Sequence, residues 1–197
     1  MVTRTPEQIA CGITKEYLRL IDLNGGTPII DSFLQSVIAD VALRLSNPDK
    51  RFGMMFYGGC GNGKTTLMKA IYEFLLSIDH NQFSEFKTRR WGFSCLFLSA
   101  DEVCEMWKDR VQREYLIQLA ILVIDDLGTE PLEVLDYGNV STPIISLLER
   151  RYAERRFTAV TTNLNHTEIR PRYKDRIADR FNEMFRTYLF SGPSFRK

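Results

Sequence analysis

The stretch YGGCGNGKTT (57–66) places four glycines directly before a lysine, two threonines and a run, LMKAIYEFLL, with helical spacing. Glycine reaches positive φ without a Cβ penalty, so such a cluster suits a turn whose amides must face one point. Gly58–Thr65 satisfies G-x-x-x-x-G-K-[ST], with FGMMFYG (52–58) as an apolar strand before it and an amphipathic helix after it. In that context the amides of Gly61, Asn62, Gly63 and Lys64 form an anion-binding nest, reinforced by the helix N-terminus. Gly58, Gly59, Cys60, Gly61, Asn62, Gly63, Lys64, Thr65 and Thr66 are therefore the candidate phosphate-binding residues. Lys64 is placed to reach the β and γ phosphates of a nucleotide, and the Thr65 hydroxyl to ligate magnesium.

A chain of 197 residues suits one α/β domain with a sizeable core. The balance of 26 basic against 25 acidic residues excludes a globally basic nucleic-acid coat and leaves a local patch open. Cys11, Cys60, Cys95 and Cys104 are scattered without a C-x-x-C pair, and there are two histidines, so neither a zinc site nor a disulfide framework is expected. The opening MVTRTPEQIACG lacks the apolar core of a leader, and no apolar run is long enough to cross a bilayer. A cytoplasmic protein is expected.

Thr5-Pro6-Glu7 opens a helix to about Asp22, ended by Asn24-Gly25-Gly26-Thr27-Pro28, and a second helix runs from about Ile29 to Leu45. Four β signals follow the first strand: FSCLFLS (93–99), AILVIDDL (120–127), FTAVTTN (157–163) and FRTYLF (185–190). Helical stretches at Lys64–Ile78, Ala100–Leu119, Gly138–Arg155 and Tyr173–Glu183 alternate with them, which predicts a parallel sheet covered on both faces. Asp79–Arg90 reads as an exposed connection.

ILVIDDLG has the pattern of a buried parallel strand whose carboxyl end reaches a ligand crevice. Magnesium gives its paired acids a reason: Asp125 for the ion, Asp126 to orient or deprotonate an attacking water. Asp-Asp-Leu-Gly is equally an ordinary turn sequence; the phosphate loop upstream tips the balance. TAVTTNL is a second such strand, with Asn163 placed for a γ-phosphate or the water, or simply for a turn. In DRIADRF (175–181), Arg176 and Arg180 share a helical face. They either pair with nearby acids or project a guanidinium onto a neighbouring subunit's phosphate.

Taken in order, IDDLG, LLERRYAERR, TTNL and RYKDRIADRF resemble the DnaC/DnaI-type helicase loaders and the related IstB transposition ATPases of the AAA+ superfamily. The resemblance covers residues 28–197 and is most specific from Ile121 to Phe181; the tail FSGPSFRK is similar too. It implies a three-layer α/β/α P-loop NTPase with a five-stranded parallel sheet ordered 5-1-4-3-2 and no C-terminal helical lid, preceded by a short helical extension over residues 1–27. It also implies ATP and ADP as ligands, Mg2+ as cofactor, and hydrolysis of ATP to ADP and phosphate. Gly58–Thr65 becomes Walker A, Asp125 and Asp126 Walker B, Asn163 sensor 1, and Arg180, ahead of Arg176, the arginine finger of a homo-oligomer. Arg196 matches a sensor-like position.

Single-stranded DNA, and a replicative helicase or transposase, are the partners the resemblance implies. Arg150, Arg151, Arg155, Arg156, Arg170, Arg172 and Lys174, with Trp107 among Lys108, Arg110 and Arg113, supply cations and an aromatic for such a strand, or else form solvated helix faces. Three classes stay open: a DNA-associated ATPase that loads a helicase or serves a transposase, a small P-loop kinase, and a nucleotide-gated binding module.

Overall fold

The structure, a computed structural model, describes residues 4–27, 29–46, 52–78, 94–136 and 139–192, without the side chains of Asp136, Asn139, His166 and Arg176. The expected 79–90 connection, Arg196 and the Arg176 side chain lie outside the described residues.

Helix α1 (Pro6–Leu23) starts where the sequence predicts, because Thr5 and Gln8 close a reciprocal capping box and Pro6 occupies the first turn. Its stripe of Ile9, Ile13 and Tyr17 joins Leu34, Val37, Ile38, Val41 and Leu45 of α2 (Ser32–Ser46) in one hydrophobic cluster. Strand β1 (Gly53–Gly58) leads into α3 (Lys64–Ser77), whose Leu67, Met68, Ile71 and Phe74 complete that layer. β2 (Cys95–Ser99), α4 (Ala100–Trp107), α5 (Arg110–Gln118) and β3 (Ile121–Leu127) follow, then a hairpin of β4 (Val134–Asp136) and β5 (Asn139–Ser141). α6 (Pro143–Ala153), β6 (Phe157–Thr162), α7 (His166–Met184) and β7 (Arg186–Phe190) finish the described chain.

Five parallel strands lie in the order β2-β3-β6-β1-β7, which is the expected 5-1-4-3-2 order read from the other edge. Successive side chains alternate between the two faces. Phe56, Val123 and Ala159 pack with α1, α2 and α3, whereas Met55, Ile124 and Val160 pack with α4, α5, α6 and α7. The result is the expected three-layer α/β/α arrangement, with the C-terminal ends of β1, β3 and β6 at one rim.

Three helices differ from expectation. The 100–119 stretch is two helices, because the Asp109 carboxylate accepts from the Gln112 amide at 2.8 Å and restarts the chain as an N-cap. The 138–155 stretch becomes helical only at Pro143, which fits a first turn, and the residues before it pair as the hairpin. The last helix starts at His166 rather than Tyr173, because Asn165 and Glu168 form a capping box ahead of Pro171.

One buried cation ties the lower edge of the second layer together. Arg151 is fully buried; its Nε donates to Thr158 Oγ1 at 2.9 Å, Nη1 to the carbonyls of Leu116 and Leu119 at 2.8 and 3.0 Å, and Nη2 to the Phe157 carbonyl at 2.5 Å. It thus satisfies the last carbonyls of α5 and fixes the start of β6. Desolvation pushes its guanidinium down to about 9, still charged at neutral pH. Arg151→Met leaves those acceptors unpaired, and loss of roughly 3 kcal/mol or more is expected as a lower urea midpoint.

Candidate functional site

The chain turns sharply at Gly58, whose φ is 134°, and again at Gly61 and Gly63, with φ of 77° and 89°. Gly63 is the N-cap of α3 and offers no side-chain acceptor to the first-turn amides. A Cβ at Gly58 would stand 2.1 Å from the Phe190 carbonyl oxygen, so only glycine lets β7 lie this close.

Lys64 is buried, and its ammonium donates to the carbonyls of Gly58 and Gly59 at 2.9 and 2.6 Å, to Asn62 Oδ1 at 3.1 Å and to Asn163 Oδ1 at 3.0 Å. All four acceptors are neutral oxygens, so the cation is held at the loop beside the end of β6. Asn62 is also buried and donates through Nδ2 to the Phe190 carbonyl at 2.5 Å. Gly59 and Cys60 are exposed on the loop's outer side, and Thr66 is half-buried in the first turn of α3.

The acidic half is built on β3 and β6. Asp125 is buried, and its Oδ1 accepts from Thr65 Oγ1 at 3.0 Å and from Thr161 Oγ1 at 2.5 Å. The same Thr161 hydroxyl accepts from the Asp126 amide at 2.9 Å. This wedge coincides with a register shift between Ile124 and Leu127, where Asp126 takes a left-handed φ of 53° and turns its side chain to solvent. The two adjacent acids consequently differ: one is locked against hydroxyls and the other is held at the surface.

The structure therefore brings Lys64, Thr65, Asp125 and Asn163 together, with Asp126 beside them. Arg180 lies elsewhere in the chain's own fold. Its Nη1 sits 3.1 Å from Glu149 Oε1 on α6 and the guanidinium covers the Tyr152 ring at 4.9 Å, yet Nη1 is shielded from solvent and makes no well-aligned hydrogen bond.

Two members of the expected cationic surface are corrected. Trp107 is buried in the core, with Arg113 over its ring at 5.0 Å, so it presents no face to a base. Arg151 is enclosed for the packing reason given above. Arg170 is bound to Asp175 and, at 2.8 Å, to Asp179, and Arg156 lies 3.3 Å from Glu154.

Sequence reasoning also missed several parts. Thr161 reads as one more β-branched strand residue, and only the parallel register sets it beside Asp125. Asn62, read only as a loop amide, reaches the Phe190 backbone carbonyl of β7, a contact no local motif marks.

Fold and loop together define a three-layer α/β/α architecture with a five-stranded parallel sheet and a glycine-rich G-x-x-x-x-G-K-T turn opening α3. Among solved structures the chain resembles DnaI, with 22% identity, a TM-score of 0.65 and coverage of 92% of this chain and 93% of that one. It also resembles the DnaC helicase loader, with 18% identity, a TM-score of 0.62 and coverage of 88% and 99%. A replication initiator DnaA bound to AMPPCP and single-stranded DNA matches at 15% identity and a TM-score of 0.60, over 84% of this chain and 49% of that one. No family model and no curated protein matches the sequence. The fold is thus one shared with the solved DnaI and DnaC helicase loader structures. No described helix is long and apolar enough to cross a membrane.

Replacing Gly58 with Ala is expected to push β7 off β1 and break the Asn62–Phe190 bond. Earlier unfolding, with lost amide protection at Arg186–Phe190, would register it in hydrogen exchange.

Proposed function

We propose that this protein is a magnesium-dependent ATPase of the helicase-loader type, acting as a homo-oligomer in DNA replication with single-stranded DNA and a replicative helicase as partners. The observation that carries the reading is the 3.0 Å contact between Thr65 on the glycine loop and Asp125 at the end of β3, which joins a phosphate-loop hydroxyl to a buried acid. The neighbouring structures are those of replication proteins, one bound to a nucleotide analogue and single-stranded DNA, which supports the same class.

The donor set fits the ligands. The uncapped first turn of α3 and the Lys64 ammonium, gathered by neutral oxygens at the glycine loop, suit a triphosphate. Among the described residues no group of three or more His, Cys, Asp and Glu is arranged to cage a metal. One hydroxyl and one carboxylate, with water and phosphate oxygens making up the rest, is the set magnesium accepts. Thr65 and Asp125 would hold the ion, and when bound it neutralises charge on the β and γ phosphate oxygens. Lys64 exchanges one of its present acceptors for a phosphate oxygen, Asn163 stays within reach of the γ position, and Asp126, turned outward, orients the attacking water.

Arg180 acts in trans. Its guanidinium, ion-paired to Glu149 at 3.1 Å, is a planar donor fork that would exchange this carboxylate for a neighbour's phosphate. The finger belongs to one subunit and the pocket to the next.

Calorimetry is expected to show ATP binding strengthened by magnesium in the wild type, with that gain lost in Thr65→Ala; indifference to adenine nucleotides in the presence of magnesium overturns the reading. Lys64→Ala and Arg180→Ala are each expected to lower hydrolysis by roughly 100-fold or more. Mixed in equal amounts they regain about a quarter of the wild-type rate, since a quarter of random interfaces pair an intact pocket with an intact finger. Absence of any recovery rules out the shared site.

A further inference from the structure

The turn after β3 contains a buried carboxylate that the proposed chemistry leaves unused. Glu130 is 2% exposed; its Oε2 accepts from the Gly128 amide at 2.7 Å, and its Oε1 accepts from the Tyr173 hydroxyl at 2.6 Å and lies 3.4 Å from Arg172 Nη2. The same guanidinium donates to the Glu130 backbone carbonyl. Burial, and then the charge of Glu130, push the Tyr173 hydroxyl above its ordinary range, so it stays a donor.

Each end of this clamp reaches something that matters. On one side, the Thr129 amide and hydroxyl donate to the Asp126 carbonyl at 3.2 and 2.9 Å, so the turn held by Glu130 is the one that holds Asp126 in its left-handed conformation. On the other side, the residue after Tyr173 is Lys174, with φ 68° and ψ 162°, a region that side chains other than hydrogen rarely enter. Such a conformation costs about 1–3 kcal/mol and persists only where neighbours impose it. Here it divides α7 into an N-terminal part gripped by Glu130 and a C-terminal part carrying Arg180.

We infer that Glu130 is a positioning residue that couples the Asp125–Asp126 turn to helix α7, through Arg172, Tyr173 and the strained hinge at Lys174. Movement of the turn then shifts the segment bearing Arg180 relative to Glu149 on α6. The inference rests on the ATPase reading above, and it adds an internal link between a subunit's own pocket and the arginine it lends to its neighbour.

Hydrogen exchange over 167–184 tests it, measured with and without AMPPCP and magnesium on the wild type, Glu130→Ala, Glu130→Gln and Tyr173→Phe. In the wild type, analogue binding is expected to change exchange both in the phosphate loop and in α7. Glu130→Ala is expected to keep analogue affinity within about threefold and to lose the α7 response, with kcat down about tenfold and KM nearly unchanged. Glu130→Gln, which still accepts from Gly128, restores part of the response. Tyr173→Phe, which removes one hydroxyl and keeps the ring, gives a reduced response and remains informative should Glu130→Ala not fold. The inference is overturned, with the ATPase reading intact, if the wild type binds the analogue and α7 exchange stays unchanged, or if the variants lose only thermal stability while α7 still responds. A wild type that binds no nucleotide overturns both.

Discussion

The Lys64 ammonium is the point on which the rest of the architecture converges. It draws toward one centre the carbonyls that end β1, the amide of the glycine loop and the side chain that follows β6. A buried cation is tolerated only where oxygens surround it, so its presence dictates the path of the loop and the proximity of Asn163. Its neighbour in sequence, Thr65, extends the same constraint to β3 through Asp125. Three strands that share no local sequence are thus aligned at their ends by two adjacent residues of one helix.

The second layer shows the converse solution. Arg151 carries a full charge into the core, and its described partners are backbone carbonyls and one hydroxyl. Its role is geometric, since a planar fork of donors can serve the end of a helix and the start of a strand at once. Lys64 and Arg151 occupy opposite ends of the sheet's covering, one at the glycine loop and one locked into the frame. Reading both as surface cations, as charge counting does, misses this division.

Much of the fold was legible in the sequence because its determinants are local. The glycine loop, the apolar runs of the five strands and the Thr5 capping signal each lie within ten residues, and periodicity and turn chemistry resolve them. The candidate site was legible to the same extent: Lys64, Thr65, Asp125 and Asn163 do meet. What escaped depends on register and on packing across the molecule. Thr161 acquires its place from the pairing of β3 with β6, and Glu130 from an arginine and a tyrosine more than forty residues on. The misplaced start of α7 has a local cause, the capping box of Asn165 and Glu168 that begins the helix ahead of Pro171. Trp107 illustrates a further limit, because an aromatic among cations has the same signature whether the ring faces a base or the core.

The bond from Asn62 to Phe190 spans 128 residues and ties the glycine loop to the final described strand. Contacts of such separation close late, because loop-closure entropy must be met before they contribute. During synthesis β1 emerges early, yet its outer edge stays unpaired until Arg186–Phe190 has left the ribosome and docked. A nascent chain therefore carries an open β1 edge until that strand arrives, and the glycine loop reaches its final form only then.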